Sequence, residues 1–134
     1  MNASEEADEG SPALTDDRKA LAGMVLQLFE HWQLTDADRA GLLGLPVADE
    51  NALVRFRSGE MLGVDVDLKA RVELLLSIHS RLRILFPRNR DLAYRWPTAP
   101  NRALGGRTPV AVAQEQGMVG LRLIRSYLEE AAWP

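Results

Sequence analysis

Gly105-Gly106-Arg107-Thr108 is the stretch whose residue types come nearest to chemistry. Two glycines let the backbone approach a ligand closely, and N–H groups at the start of a helix can cradle a phosphate. A nucleotide-binding loop of that kind also needs a preceding β-strand and a Gly-Lys-Ser/Thr, and the chain has neither here. The other reading of the same residues is a tight turn that positions Arg107. Of the two histidines, His31 precedes Trp32 at the end of a helix, where a cation beside the C-terminal dipole is ordinary. His79 lies on an apolar helix seam, as a packed histidine does, and neither has Cys, Asp or Glu at metal-ligand spacing. Ser58, Ser77, Ser80 and Ser126 lack the strained Gly-x-Ser-x-Gly elbow of a nucleophile. The residues therefore read as a binding protein, not an enzyme, with no catalytic, cofactor or metal site.

The elements that must hold this stretch follow from punctuation and period. Pro97, Pro100, Asn101, Gly105 and Gly106 cannot share one regular element, so residues 97–107 read as an ordered loop. Thr108 is placed to cap a helix, and Pro109 at its first position loses no bond it would have made. Gly117 interrupts that helix, and from Met118 onward Leu121, Ile124 and Leu128 mark one face of the next.

Upstream the pattern is helical throughout. Thr15 or Asp16 is expected to cap a first helix over 17–32, with Leu21, Val25, Leu28, Phe29 and Trp32 as its apolar stripe. Thr35 opens a second, with Asp38 standing in for the Glu of a capping box; Leu42, Leu43 and Leu45 face inward and Gly44 stops it. A third is expected over 49–58, with Leu53, Val54 and Phe56 apolar and Gly59 as its stop. Asp65 or Asp67 caps a fourth, in which Leu68, Val72, Leu75, His79, Leu82 and Phe86 form a long seam fit for the core or for a partner helix. Lys69, Glu73, Ser77, Ser80 and Arg83 should lie opposite, in solvent. Pro87 ends it. The expected fold class is all-α, with about six or seven helices and no sheet.

Of the 134 residues 46% are hydrophobic, enough to build a core, and no apolar run approaches the ~18 residues of a membrane helix. The first residues are acidic and polar rather than a secretory signal, and there is no cysteine, which suits the cytoplasm. Net charge is −3, unevenly placed: residues 1–17 carry six acids and no base, and the remainder 13 acids and 16 bases. Residues 1–14 read as a disordered acidic tail. Between Arg81 and Arg107 seven arginines face one acid, Asp91. The acidic balance disfavours a non-specific nucleic-acid coat but leaves room for a local basic surface.

Trp96, Pro100-Asn101, Leu104-Gly105-Gly106-Arg107-Thr108-Pro109, a following glycine and the Leu-x-x-Ile-Arg-x-Tyr-Leu helix resemble, in order and spacing, the toxin-binding domain of Xre/MbcA/ParS antitoxins. LQLFEHWQLTDADRAGLLGL, VRFRSGE and ARVELLLSIHSRLRILFP resemble the helix-turn-helix half of the Xre-like members, so the likeness covers most of residues 17–133. It implies an Xre-like helix-turn-helix bundle over 15–64, continuous with a small helical toxin-binding domain over 65–134. It also implies the antitoxin of a type II toxin–antitoxin pair: a homodimer that blocks a RES-domain, NAD-consuming toxin and helps repress its own operon, with no cofactor and no membrane. Asn101, Arg102, Gly106, Arg107, Arg122, Arg125, Tyr127 and Trp133 are then the expected toxin contacts. Residues 129–134 would approach the pocket, and the arginines its rim.

If the third helix enters a major groove, its N-terminal residues read base edges. Asn51 would pair with adenine and Glu50 with cytosine, while Arg55 and Arg57 would touch operator phosphates. The alternative there is a helical hairpin that packs and binds no DNA. For the whole chain, the alternatives are a stand-alone dimeric helix-turn-helix regulator without a toxin, and a phosphate-ligand protein or small enzyme using residues 105–108.

Overall fold

The computed structural model describes residues 12–46 and 48–132. The fold is all-α: among the described residues there are seven α-helices, three short 3-10 turns and no strand. The helices are α1 (Pro12–His31), α2 (Asp36–Leu43), α3 (Ala52–Arg57), α4 (Val66–Leu85), α5 (Arg90–Arg95), α6 (Pro109–Gln116) and α7 (Met118–Ala132).

Local chemistry sets most boundaries. The Thr35 hydroxyl accepts from the Asp38 amide at 3.1 Å to open α2, which ends on Gly44 at φ 70. The Asp65 carboxylate accepts from the Leu68 amide at 3.0 Å, so Asp65 rather than Asp67 caps α4; Asp67 pairs with Arg71 one turn on.

Three expectations need correction. The first helix begins at Pro12, not at residue 17, so Thr15 and Asp16 lie inside it rather than capping it; a proline at the first position loses no hydrogen bond. Residues 12–14 of the expected tail are thus helical, and residues 1–11 lie outside the described ones. The third helix starts at Ala52, not Asp49, and Val54 on it is exposed. The Asp49 carboxylate accepts from the Asn51 amide at 2.9 Å, and that local turn competes with a helical start. Asp38 does not close a capping box; its carboxylate accepts from the Gln114 amide at 2.8 Å and bridges α2 to α6.

The core is one continuous cluster reaching from α1 to α7. The α4 seam supplies its middle: Leu68, Val72, Leu75 and Leu82 are buried, with Leu74 and Ile78 buried beside them. α7 packs along α4 through Leu121, Ile124 and Leu128. The two helices run parallel, with Arg71 beside Gly117 near one end and Arg81 beside Glu129 near the other. The seam is therefore consumed within the chain and is not a spare surface for a partner helix. Among the described residues no helix is long and apolar enough to cross a membrane.

Candidate toxin-binding surface

The glycine turn is closed by its own backbone. Asn101 N–H donates to the Arg107 carbonyl at 3.0 Å, and Gly106 N–H to the Asn101 carbonyl at 2.9 Å. The Asn101 side-chain oxygen accepts from the Ala103 amide at 2.9 Å. Gly106 sits at φ 84, in the left-handed region, with open space around the position of a Cβ. Glycine is needed there for backbone conformation, not for room. The Thr108 hydroxyl accepts from the Ala111 amide at 3.0 Å, and Pro109 begins α6, as the sequence implies.

Arg107 does not stand free. Its guanidinium pairs with the Glu115 carboxylate and lies 3.4 Å from the Ala111 carbonyl, which staples the turn to α6. Asn101 is spent on the same turn. Of the expected contacts in this loop, Arg102 and Gly106 face solvent.

On α7 the expected residues divide by face. Arg125 lies 3.5 Å from Glu129, which also meets Arg81 at 3.9 Å, so these charges answer one another along the α4–α7 groove. The Tyr127 ring stacks on Trp96, centroids 6.2 Å apart at 17°. Arg122 is on the outer face, between Val119 and Leu123, which are 65% and 47% exposed. Ser126 and Glu130 continue that face. The sequence reading missed Val119 and Leu123. Their spacing of four, off the Leu121/Ile124/Leu128 stripe, was the available signal. Trp133 lies outside the described residues.

α7 leaves α6 at Gly117, and the crossing is close. A Cβ at Gly120 would fall 2.7 Å from the Val112 carbonyl oxygen, so only glycine fits without a shift. The outer face of α7 is thereby set relative to the glycine turn.

At the other expected site, Asn51, Arg55 and Arg57 are all exposed around the short α3. Arg55 is bound to Asp49 at 2.7 Å, and this contact is the main reason the Asp49 carboxyl titrates below its usual range. The segment 49–57 holds two acids, Asp49 and Glu50, and two bases, Arg55 and Arg57, so its formal charge is zero.

His31 ends α1 and His79 is packed on α4, as the sequence suggested, but a ring from a third helix joins them. Tyr94 of α5 lies between them, its ring 4.3 Å from His31 at 4° and 5.6 Å from His79 at 6°. Among the described residues no three His, Cys, Asp or Glu are grouped to hold a metal ion.

Comparison with known proteins gives one match. Residues 81–133 match the family model of the antitoxin Xre/MbcA/ParS C-terminal toxin-binding domain. No curated protein and no solved structure matches the chain. The matched segment starts within α4 and takes in the glycine turn, α6 and α7. Residues 81–133 are thus similar to an Xre/MbcA/ParS antitoxin toxin-binding domain, a family whose general role is that of an antitoxin with a toxin partner.

Proposed function

We propose that the chain is the antitoxin of a type II pair that neutralises a RES-domain, NAD-consuming toxin by covering the approach to its active site, without chemistry of its own. The observation that carries this is the outer face of α7. Val119, Arg122 and Leu123 form an exposed apolar-and-arginine patch within the matched domain and on the helix that follows its glycine turn. Interfaces concentrate energy in such desolvated apolar anchors and arginines. Arg102 and Gly106 extend the contact from the loop, while Asn101, Arg107, Arg125 and Tyr127 hold the surface in shape. The end of α7 approaches the toxin pocket, where Glu129 and Glu130, with Trp133 beyond them in the sequence, answer a basic floor built for pyrophosphate.

In this reading the domains are 15–64 and 65–134, with α4 opening the second and the core continuous across both, and the protein works in the cytoplasm as a homodimer. The buried seam does not supply the dimer contact; exposed apolar residues outside the α7 patch, Ile84 and Val66 on α4 among them, are left to do so. Operator contact falls to α3 through Asn51, Arg55 and Arg57, and helps repress the operon.

Co-expression with the adjacent gene product tests the reading. Co-purification of a RES-type protein, and growth rescued by the wild-type chain but not by the double variant Arg122→Glu, Leu123→Asp, are the expected results. Neutralisation that survives deletion of residues 129–134 would leave the α7 face and loop as the binding surface and remove the plug. A neighbour of another class would overturn the toxin assignment.

A further inference from the structure

Three rings from three separate elements stand parallel in this molecule: His31 at the end of α1, Tyr94 on α5 and His79 on α4. Tyr94 on α5 lies in the segment matched to the toxin-binding family, His79 on α4 just before it, and His31 on α1 in the N-terminal half. The stack is thus a joint between the two halves. We propose that it is a pH-sensitive clasp, closed when the His79 imidazole is neutral and released as the solution becomes mildly acidic, so that α5 loosens from the N-terminal half.

The argument begins with His79. Its Nδ1 is enclosed and has no hydrogen-bond partner among the described residues. A protonated imidazole carries two N–H donors, and a donor there would face no acceptor. Leaving the stack lets that group reach water. Charges around the clasp add to this. Arg83 lies one turn further along α4, and its cation and that of a protonated His31 both oppose a charge on His79. On the side of α1 stand Glu30 and Gln27, whose amide nitrogen is 3.4 Å from His31 Nε2. α5 brings Asp91 and Arg95, which line the cleft beside His31 and Tyr94 with Glu30. α7, also packed on α4, carries Arg125 and Glu129, whose charges are answered within 3.5 Å of each other. The carboxylates therefore sit beside exposed His31, and His79 has arginine for its charged neighbour.

The direction follows. Burial first, then Arg83 and His31, hold His79 below the usual imidazole value. Its folded value is lowered, so the open state binds more protons in the interval just below about 6.5. Closure is fully favoured above that interval and weakens as pH falls through it. Opening has a route to the binding surface, because Trp96, two residues past Tyr94, stacks on Tyr127 of α7.

The test uses the full chain without toxin, so it stands apart from whether the partner is a RES protein. Amide hydrogen exchange, corrected for intrinsic rates, is compared on either side of about pH 6.5 for the wild type, His79→Phe and His79→Gln. The expected result is that residues 90–98 lose protection roughly threefold or more on acidification in the wild type, and stay flat in the variants. Equal wild-type protection at both pH values overturns the clasp, and so does a pH response that persists in both variants. Should either variant misfold, histidine and tyrosine ring shifts of the wild type decide. Tyr94 resonances moving with the His79 titration support the proposal, and Tyr94 resonances indifferent to it overturn the proposal.

Discussion

The two parts of the chain on either side of Arg81 have opposite electrostatics. Residues 1–80 hold fifteen acids and seven bases, whereas residues 81–134 hold four acids and nine bases, all arginine. The difference bears on what each part can meet. The basic part contains the segment similar to the toxin-binding domain, and the proposed toxin would meet it through an acidic rim. The acidic part contains α3, the segment expected to touch operator DNA, and there Asp49 pairs with Arg55 while Glu50 brings the formal charge of 49–57 to zero. Phosphate contact depends on cations that are free to release counterions. Arg55, tied to its own Asp49, is poorly placed to give that, and Arg57 is better placed.

The sharpest way to break this contrast is in the core both parts share. Leu82→Ala, at a position with no exposure, should cost about 2–5 kcal/mol and lower the melting temperature of the whole chain in one transition. Two separate transitions would show that the halves do not share one cooperative core.

Next come the surfaces. The Arg122→Glu, Leu123→Asp pair should weaken toxin binding by at least about 2 kcal/mol, roughly thirtyfold, while stability shifts by less than about 0.5 kcal/mol per site. Calorimetric titration with the toxin and a thermal melt read the two effects. Arg57→Ala should leave toxin binding unchanged; an equal loss there would erase the distinction between the two parts.

Gly106→Val is smaller and of another kind. A β-branched residue at φ 84 is strained by about 1–3 kcal/mol although nothing occupies the space around it. The turn should shift and toxin affinity fall with stability, whereas Gly106→Asn, which tolerates the left-handed region, should retain both.

The smallest effect sharpens the DNA side. If α3 meets an operator, Arg57→Ala should reduce the salt slope of binding by about one, and Arg55→Ala by less. Asp49→Asn should raise affinity by releasing Arg55. Equal slopes for the two arginine variants in a gel-shift series would show that Asp49 does not hold Arg55 back.

Much of the backbone was legible because its causes are local. Thr35, Asp65 and Thr108 cap helices through hydrogen bonds spanning three residues, and Gly44, Gly59, Gly105 and Gly106 adopt positive φ where turns end or change direction. Periodicity marked Leu121, Ile124 and Leu128, and these are buried. The glycine turn into Thr-Pro, with the helix after it, was enough to point to the antitoxin domain because its constraints are carried within a few residues. Tertiary structure decided the rest. The turn of α6 brings Glu115 to Arg107, and the third helix, expected over 49–58, starts at Ala52. Periodicity marked the buried side of α4 at Leu68, Val72, Leu75 and Leu82, but no local pattern encodes the parallel path of α7 along it. The His31–Tyr94–His79 stack joins side chains from three helices, and sequence spacing carries no signal for rings that meet only after the core has closed.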